Sequence, residues 1–491
     1  LKVPVDYHNP NGETLNLSII RFKATKFPSK GPIFINPGGP GGSGVDFVSN
    51  GGKVLSKLVG GHYDIIGFDP RGIGRSNTIR CFKDGTDSQL YQANRPWSLG
   101  PGENAANFAM FQQALANQCI DKNRDFLPYV STAAVARDLD SLRDAFGQEL
   151  TNYWGFSYGT FLGATYANMF PDRVGRVILD GVADPTIFVG EVLDLVTKSI
   201  IHTEDCLDKF GASCEAAGPN KCSLAHPKKA LAHNGQHYVA PTIRKFLEEM
   251  SDKPILARNM TSAAFVVQSQ AATMVFATLY NTYKWPLLAD ALASAIYKSD
   301  GTSIAEMFAI PEDDRCPATE TYSLSFTPVV CIDGHHNDHK DVKSWMKGVR
   351  KAALVSPLAG PVWGTETMSC LYWNVTAAER YAGPWNHRTK NKVLIIGGTG
   401  DPVTPVESAE HLEQLMEGSG VFLKHEGWGH SSLGQPSKCT TTAILEYFEN
   451  GTLPAKGASC QASVEPFETT DIQFGEGISY ADMKQLAYAL E

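Results

Sequence analysis

Residues 151–171 read TNYWGFSYGTFLGATYANMFP. The first part, residues 152–156, is the short apolar and aromatic run of a buried strand. Residues 158–170 place Phe161, Leu162, Thr165, Tyr166 and Met169 at helical spacing. Between them, Gly155-Phe156-Ser157-Tyr158-Gly159 forms a G-x-S-x-G where strand turns sharply into helix. A Cβ on either flanking residue would crowd so tight a turn, and glycine removes it. The turn holds the Ser157 hydroxyl above the sheet edge, at the positive end of the following helix. Ser157 is the candidate nucleophile.

Upstream, residues 1–5 and 14–22 read as strands joined by a turn at Asn9-Pro10-Asn11-Gly12. Residues 32–36 are a third strand, which runs into Pro37-Gly38-Gly39-Pro40-Gly41-Gly42-Ser43-Gly44. So many glycines let backbone approach a ligand and leave N–H groups free to point at it. Residues 39–44 match the dinucleotide fingerprint G-x-G-x-x-G, with Asp64 at the chain distance of a ribose partner. Pro40, however, removes one N–H from that phosphate cradle. The other reading is an oxyanion-hole loop, in which the Gly39 N–H acts together with that of Tyr158, the residue after the nucleophile. The serine elbow downstream favours this second reading.

Residues 63–68, YDIIGF, are the next strand, ending in Asp69-Pro70-Arg71-Gly72-Ile73-Gly74-Arg75-Ser76. That segment reads as a tight loop in which Asp69 and Arg71 hydrogen-bond backbone. Residues 133–146 form an amphipathic helix with Val135, Leu139, Leu142 and Phe146 on one face, and residues 176–180 another apolar strand. Strands alternating with helices imply an α/β fold with a mostly parallel sheet and helices on both faces.

At 491 residues, 43% hydrophobic and 19% charged, the chain can bury a large core. A net charge of -9 with no long basic run argues against a nucleic-acid partner. Residues 261–280 are the most apolar stretch, but Gln268 and Gln270 break it; it reads as a buried helix, and no membrane partner is expected. The 10 cysteines lack zinc-type C-x-x-C spacing, and four N-x-S/T sequons stand at Asn16, Asn259, Asn374 and Asn450. Together they point to a secreted, extracellular, disulfide-stapled glycoprotein. The chain opens at Leu1 without a methionine or a signal peptide, as a processed or trimmed protein would. Proximity along the chain suggests Cys81 with Cys119, Cys331 with Cys370 and Cys439 with Cys460; free buried thiols are the alternative.

PGGPGGSG, DPRGIGRS, GFSYGT and FPDRVGRVILDGV, in this order, resemble the alpha/beta-hydrolase superfamily. More narrowly, they are similar to its prolyl and tripeptidyl aminopeptidase branch of serine exopeptidases. The opening VPVDYHNP and the late GGTGDPVTP and GWGHSS extend the likeness, which covers residues 1–184 and 391–460. Many members open the glycine loop with histidine where this chain has Asn36-Pro37, a departure that leaves the loop's backbone role intact. The resemblance implies an alpha/beta-hydrolase core in two parts, residues 1–184 and 389–491. Residues 185–388 would be inserted between them as a mainly helical lid roofing the active site. Substrate selection would then lie in the lid.

Residues 391–398, NKVLIIGG, return to a buried strand that ends in Thr399-Gly400-Asp401-Pro402-Val403-Thr404-Pro405. A helix over 407–417 and a last strand over 420–426 follow, then Gly427-Trp428-Gly429-His430-Ser431-Ser432 and a helix over 440–450. Serine, aspartate and histidine thus come in the order this fold uses, each at a strand's C-terminal end. His430 is the expected general base and Asp401 the residue that fixes its tautomer. Taken singly, Asp401 also suits a turn before Pro402, and His430 a structural role; order and placement together favour the triad. Asp180 is the alternative acid, because some hydrolases carry it there.

Asp333, His335, His336, Asp338 and His339 resemble a metal cluster in composition, but their spacing suits no zinc pattern, and neither metal nor cofactor is expected. An aminopeptidase of the resembled kind needs an anion for the substrate's free α-ammonium. Glu204, Asp205, Glu312, Asp313, Asp314 and Glu366 are candidates, and no motif chooses among them. The implied activity is release of short peptides or amino acids from a free N-terminus through an acyl-enzyme. An esterase, lactonase or amidase acting on a small-molecule ester or amide uses the same triad, and a non-catalytic binding protein uses the same fold. After Cys460 little pattern remains until a short helix over 480–490. Nothing in the sequence reports the oligomeric state.

Overall fold

The computed structural model describes residues 1–96, 105–226, 237–309, 325–335 and 340–490. In chain order the strands are β1 (Lys2–Pro4), β2 (Thr14–Asn16), β3 (Ile19–Phe22), β4 (Pro32–Asn36), β5 (Asp64–Phe68), β6 (Thr151–Phe156), β7 (Val174–Asp180), β8 (Ile255–Ala257), β9 (Ala264–Val266), β10 (Val393–Gly400), β11 (Gly420–Trp428) and β12 (Ser459–Gln461). The central sheet has 8 strands in the order β12-β11-β10-β7-β6-β4-β5-β3. Within it only β3, paired with β5, runs antiparallel. This is the alpha/beta-hydrolase arrangement.

β4 and β5, PIFIN and DIIGF, are buried at every residue, as parallel strands covered on both faces are. Alternate side chains serve opposite faces. Ile33, Ile35, Trp154, Phe156, Ile178, Leu394 and Ile396 pack on Phe47 and Leu55 of the Gly44–Leu58 helix and on Tyr447 and Phe448 of the Lys438–Asn450 helix. Phe34, Tyr153, Val177, Leu179, Val393 and Ile395 face the other way. They meet Val135 and Leu139 of the Thr132–Ala145 helix, Phe161 and Leu162 of the Tyr158–Met169 helix and Leu412 of the Val406–Leu415 helix. The Tyr480–Leu490 helix buries Met483 and Leu486 in the first of these layers. It lies so close to the Gly44–Leu58 helix that a Cβ on Gly51 would sit 2.6 Å from Leu486 Cδ1.

Between β7 and β10 the described residues build a helical layer with its own core of Phe210, Ile243, Val275, Leu279, Trp285, Leu288 and Leu292. It includes the helices Thr203–Ala217, Gln268–Leu279, Trp285–Lys298, Phe326–Asp333 and Ala359–Glu366, with β8 and β9 as a hairpin.

Two expected elements differ. The strand over 14–22 is two strands, because the Leu17 N–H donates to the Leu1 carbonyl while the Ser18 N–H turns to Ser76 Oγ. β2 therefore pairs with β1, outside the central sheet. The stretch 261–280 is not one helix: β9 occupies its start, and the helix begins at Gln268. There the Gln270 side chain accepts the Val267 N–H, so the glutamine that breaks the apolar run also caps the helix. Among the described residues no helix is long and apolar enough to cross a membrane.

Cys81–Cys119, Cys331–Cys370 and Cys439–Cys460 stand in disulfide geometry, with a fourth pair, Cys214–Cys222, that proximity did not single out. Cys206 is a buried thiol, and Cys316 lies outside the described residues. The sequon asparagines Asn16, Asn259, Asn374 and Asn450 are all exposed.

Candidate active site

Ser157 follows β6 with φ 54° and ψ -127°, a backbone region that side-chain-bearing residues rarely occupy. The packing around it leaves no slack. A Cβ on Gly155 would lie 2.3 Å from the Gly159 carbonyl oxygen, and one on Gly159 would lie 2.6 Å from that of Asn36. Although Ser157 sits at the N-cap of the Tyr158–Met169 helix, its side chain makes no capping hydrogen bond, so the hydroxyl is not spent on the backbone. Its own N–H donates to the Asp180 carbonyl at 3.1 Å.

The glycine loop lies directly over this elbow. Gly38 and Gly39 have φ of 97° and 106°, and a Cβ on Gly38 would meet the Phe156 carbonyl oxygen at 2.4 Å and Ser157 Cβ at 2.8 Å. The Asn36 side chain accepts the Gly38 N–H at 2.9 Å. The Gly39 and Tyr158 N–H groups donate to no acceptor among the described residues. Asp64, the ribose partner of the dinucleotide reading, begins β5 opposite Pro32, at the other end of the sheet, where it takes Arg21 at 2.7 Å and the Ala24 N–H at 2.8 Å. Loop and acid are thus a strand length apart, which leaves the dinucleotide reading without a site.

Asp401 and His430 follow β10 and β11. His430 Nδ1 lies 2.9 Å from Asp401 Oδ2 and 3.1 Å from Oδ1. Asp401 is fully buried and also accepts the Val403, Thr404 and Ser431 N–H groups and the Thr404 hydroxyl. Burial pushes its carboxyl up, but His430 and these donors outweigh burial and hold it below the usual range. With Nδ1 turned to a carboxylate, the ring proton belongs there, and Nε2 is the acceptor. His430 Nε2 is buried with no hydrogen-bond partner among the described residues, so no hydrogen bond joins it to Ser157 in this geometry. The Tyr280 carbonyl takes the His430 N–H at 2.6 Å, and the Tyr280 ring stands edge-on to the imidazole at 5.2 Å.

Asp180, the alternative acid, is not bonded to the imidazole. Its carboxylate accepts the Ser432 N–H at 2.8 Å and the Ser432 hydroxyl at 2.6 Å, and burial raises it to about 6 against those donors.

Ser157, Tyr158, Gly39 and His430 line one cavity of about 560 Å³. Its walls are mostly apolar and come from the helical layer, through Phe188, Phe276, Tyr280, Phe326, Val330 and Trp363, and from Ala487 and Leu490 of the last helix. Of the six candidate anions, Glu366 lines this cavity, where it also pairs with Arg95. Glu204 is taken up by Arg244, Ser356 and the Leu358 N–H, and Asp205 by His202. Glu312, Asp313 and Asp314 lie outside the described residues, as do His336, Asp338 and His339 of the metal-like run. Asp333 is buried under Thr132, and no group of three His, Cys, Asp or Glu among the described residues is placed to hold a metal. Asp69 and Arg71 are structural. Asp69 accepts Ser43 Oγ and the Val45 and Arg75 N–H groups, while Arg71 donates to the Pro4, Val5 and Tyr129 carbonyls and pairs with buried Asp138 at 2.6 Å.

Thr404 and Tyr280 were not singled out from sequence. Thr404 had a legible signal, since Asp-x-x-Thr is a turn-forming pattern; Tyr280 had none. A serine on a strained elbow, an imidazole poised by a carboxylate and two uncommitted N–H groups are together competent for acyl transfer.

Two known families match the chain: one described as TAP-like protein, over residues 356–460, and one described as alpha/beta hydrolase fold, over residues 31–198. The chain is 29% identical over 472 residues to Serine protease Hip1 of Mycobacterium tuberculosis, spanning 94% of this chain and 86% of the relative. It is 28% identical over 479 residues to Tripeptidyl aminopeptidase of Streptomyces lividans, spanning 94% and 83%. It is also 28% identical over 472 residues to Carboxylesterase B of Mycobacterium tuberculosis, spanning 94% and 85%. Among solved structures, MGS-M2, an alpha/beta hydrolase enzyme from a Medee basin deep-sea metagenome library, is similar over 90% of this chain and 97% of its own, at 11% identity and a TM-score of 0.37.

Proposed function

We propose, from the premise that the chain is an alpha/beta hydrolase of the tripeptidyl-peptidase-like branch, that it is a serine exopeptidase acting through Ser157, His430 and Asp401. The observation that carries this reading is the His430 ring: Nδ1 held by Asp401, Nε2 without a partner among the described residues, in the cavity that Ser157 lines. Ser157 Oγ attacks the scissile carbonyl carbon while His430 Nε2 takes its proton. The Gly39 and Tyr158 N–H groups hold the oxyanion, and losing one such donor typically costs about 3 kcal/mol of transition-state stabilisation. His430 then gives the proton to the leaving amine. Water attacks the acyl-enzyme with His430 again as base, and Asp401 stays ionised throughout.

Glu366 is the anchor we assign to the substrate's α-ammonium, because among the described residues it is the acidic side chain that lines the cavity, its ion pair with Arg95 notwithstanding. The test is hydrolysis of matched peptide amides, with free and acetylated N-termini, beside simple acyl esters. The expected result is turnover of the free-N-terminus peptides, lost in Ser157→Ala. In Glu366→Gln their KM should rise on the order of 10- to 100-fold, the worth of a charge-assisted hydrogen bond. Ester turnover should be unchanged in that variant. The largely apolar cavity wall favours an esterase as second reading, and ester turnover with all peptides untouched would establish it.

A secretory route is proposed with this function, supported by the exposed sequons and the four cysteine pairs. Intact mass before and after enzymatic deglycosylation tests it.

A further inference from the structure

We propose that Asp180 is a positioning residue that locks the nucleophile and the general base into one geometry and supports the basicity of His430. This rests on the serine-hydrolase reading above. Asp180 ends β7, the strand between the one that presents Ser157 and the one that presents Asp401, and it is paired with Phe156 on one side and Ile396 on the other. Its carbonyl takes the Ser157 N–H at 3.1 Å, and its carboxylate takes both donors of Ser432, two residues beyond His430. One residue thus ties the Ser157 elbow to the loop of His430, reaching across 252 residues of sequence to Ser432. Gly181 tightens the junction. Its φ is 70°, and a Cβ there would lie 3.1 Å from Ser431 Cα and 3.2 Å from Thr404 Oγ1, so the acid and base loops close directly over it.

Asp180 is fully buried, and His430 and Asp401 are the titratable groups that act on it. When His430 takes the serine proton, the imidazolium's charge acts on this carboxylate through space. Asp180 therefore stabilises the same protonated state as Asp401, but from behind the base loop and without touching the ring. It does not line the cavity, so its loss acts on the chemical step and not on substrate binding.

Asp180→Asn keeps the shape and removes the charge. Its Oδ1 still accepts the Ser432 N–H, and the Ser432 hydroxyl turns to accept from Nδ2. With enzyme concentration set by active-site titration, the acid limb of kcat/KM against pH should move down by about half a unit or more. In the same variant kcat should fall roughly 10-fold with KM within twofold. An unmoved acid limb with unchanged kcat in folded Asp180→Asn overturns the proposal. If that variant does not fold, Ser432→Ala decides: a several-fold loss of kcat at constant KM supports the brace, and an unchanged kcat overturns it. Ser157→Ala separates the two levels. Activity surviving there defeats the serine-hydrolase reading itself. Activity lost there, with the Asp180→Asn limb and kcat both unmoved, defeats only the role of Asp180.

Discussion

Ser157 pays for its position in backbone strain. A non-glycine residue at φ 54° and ψ -127° costs on the order of 1–3 kcal/mol, which the Gly38, Gly155 and Gly159 contacts hold in place. Ser157→Gly and Ser157→Ala should both be inactive, yet the glycine variant should be the more stable to denaturant by about 1 kcal/mol, after the entropy glycine adds to the unfolded chain. Equal stability would mean that the elbow stores no strain. At this scale Ser157, Asp401 and His430 were legible because each follows an apolar strand and ends in glycine-rich sequence. Tyr280 was not, since its contact with His430 joins residues 150 positions apart through the fold and leaves no local pattern. Glu366 was one of six candidate acids with no motif to choose among them, because an acidic residue in a helical segment looks like surface charge until its place at the cavity is seen.

At the scale of elements, the strands of the central sheet could be read because parallel strands buried on both faces need continuous apolar runs, as in PIFIN and DIIGF. The stretches that misled were those where a side chain redirects the backbone: Ser18 bonding to Ser76, and Gln270 capping its own helix. β11 also carries a pH liability. His425 is fully buried, receives the Thr440 hydroxyl on Nδ1 and donates Nε2–H to the Gln435 carbonyl, and burial pulls it down to about 4. Above an unfolded value near 6.5 both states are neutral and nothing is lost. As pH falls from there toward 4, the unfolded chain takes the proton and the native state does not, a loss of up to about 3 kcal/mol. Asp180 and Asp333, raised to about 6 by burial, work the other way, because the native state binds their protons first. His425→Gln isolates the first effect: its unfolding free energy should fall less than that of wild type between pH 6.5 and 4.5. Parallel pH dependence in the two proteins would contradict it.

Across the whole molecule, the cavity floor comes from the sheet-end loops and the cavity wall from the helical layer and the last helix. The floor was readable from strand-end motifs. The wall was not, because its side chains are ordinary apolar residues of helices that only the tertiary fold brings over Ser157. The Tyr480–Leu490 helix was legible as a helix and silent about its place at the cavity. Phe326 and Val330 of the wall stand on a helix tied through Cys331 to Cys370. With the two cysteines 39 positions apart, replacing both by alanine should cost roughly 3–4 kcal/mol in loop-closure entropy. It should also raise KM more than it lowers kcat, since the loosened helix lines the cavity and does not carry the triad. A kcat loss at constant KM would place that helix in the chemistry instead. The central claim is most directly tested by incubating the folded protein with a fluorophosphonate and locating the adduct by mass spectrometry. The account predicts one adduct, on Ser157, absent in Ser157→Ala and formed far more slowly in His430→Ala; no adduct on folded wild type, or one on another residue, would contradict it.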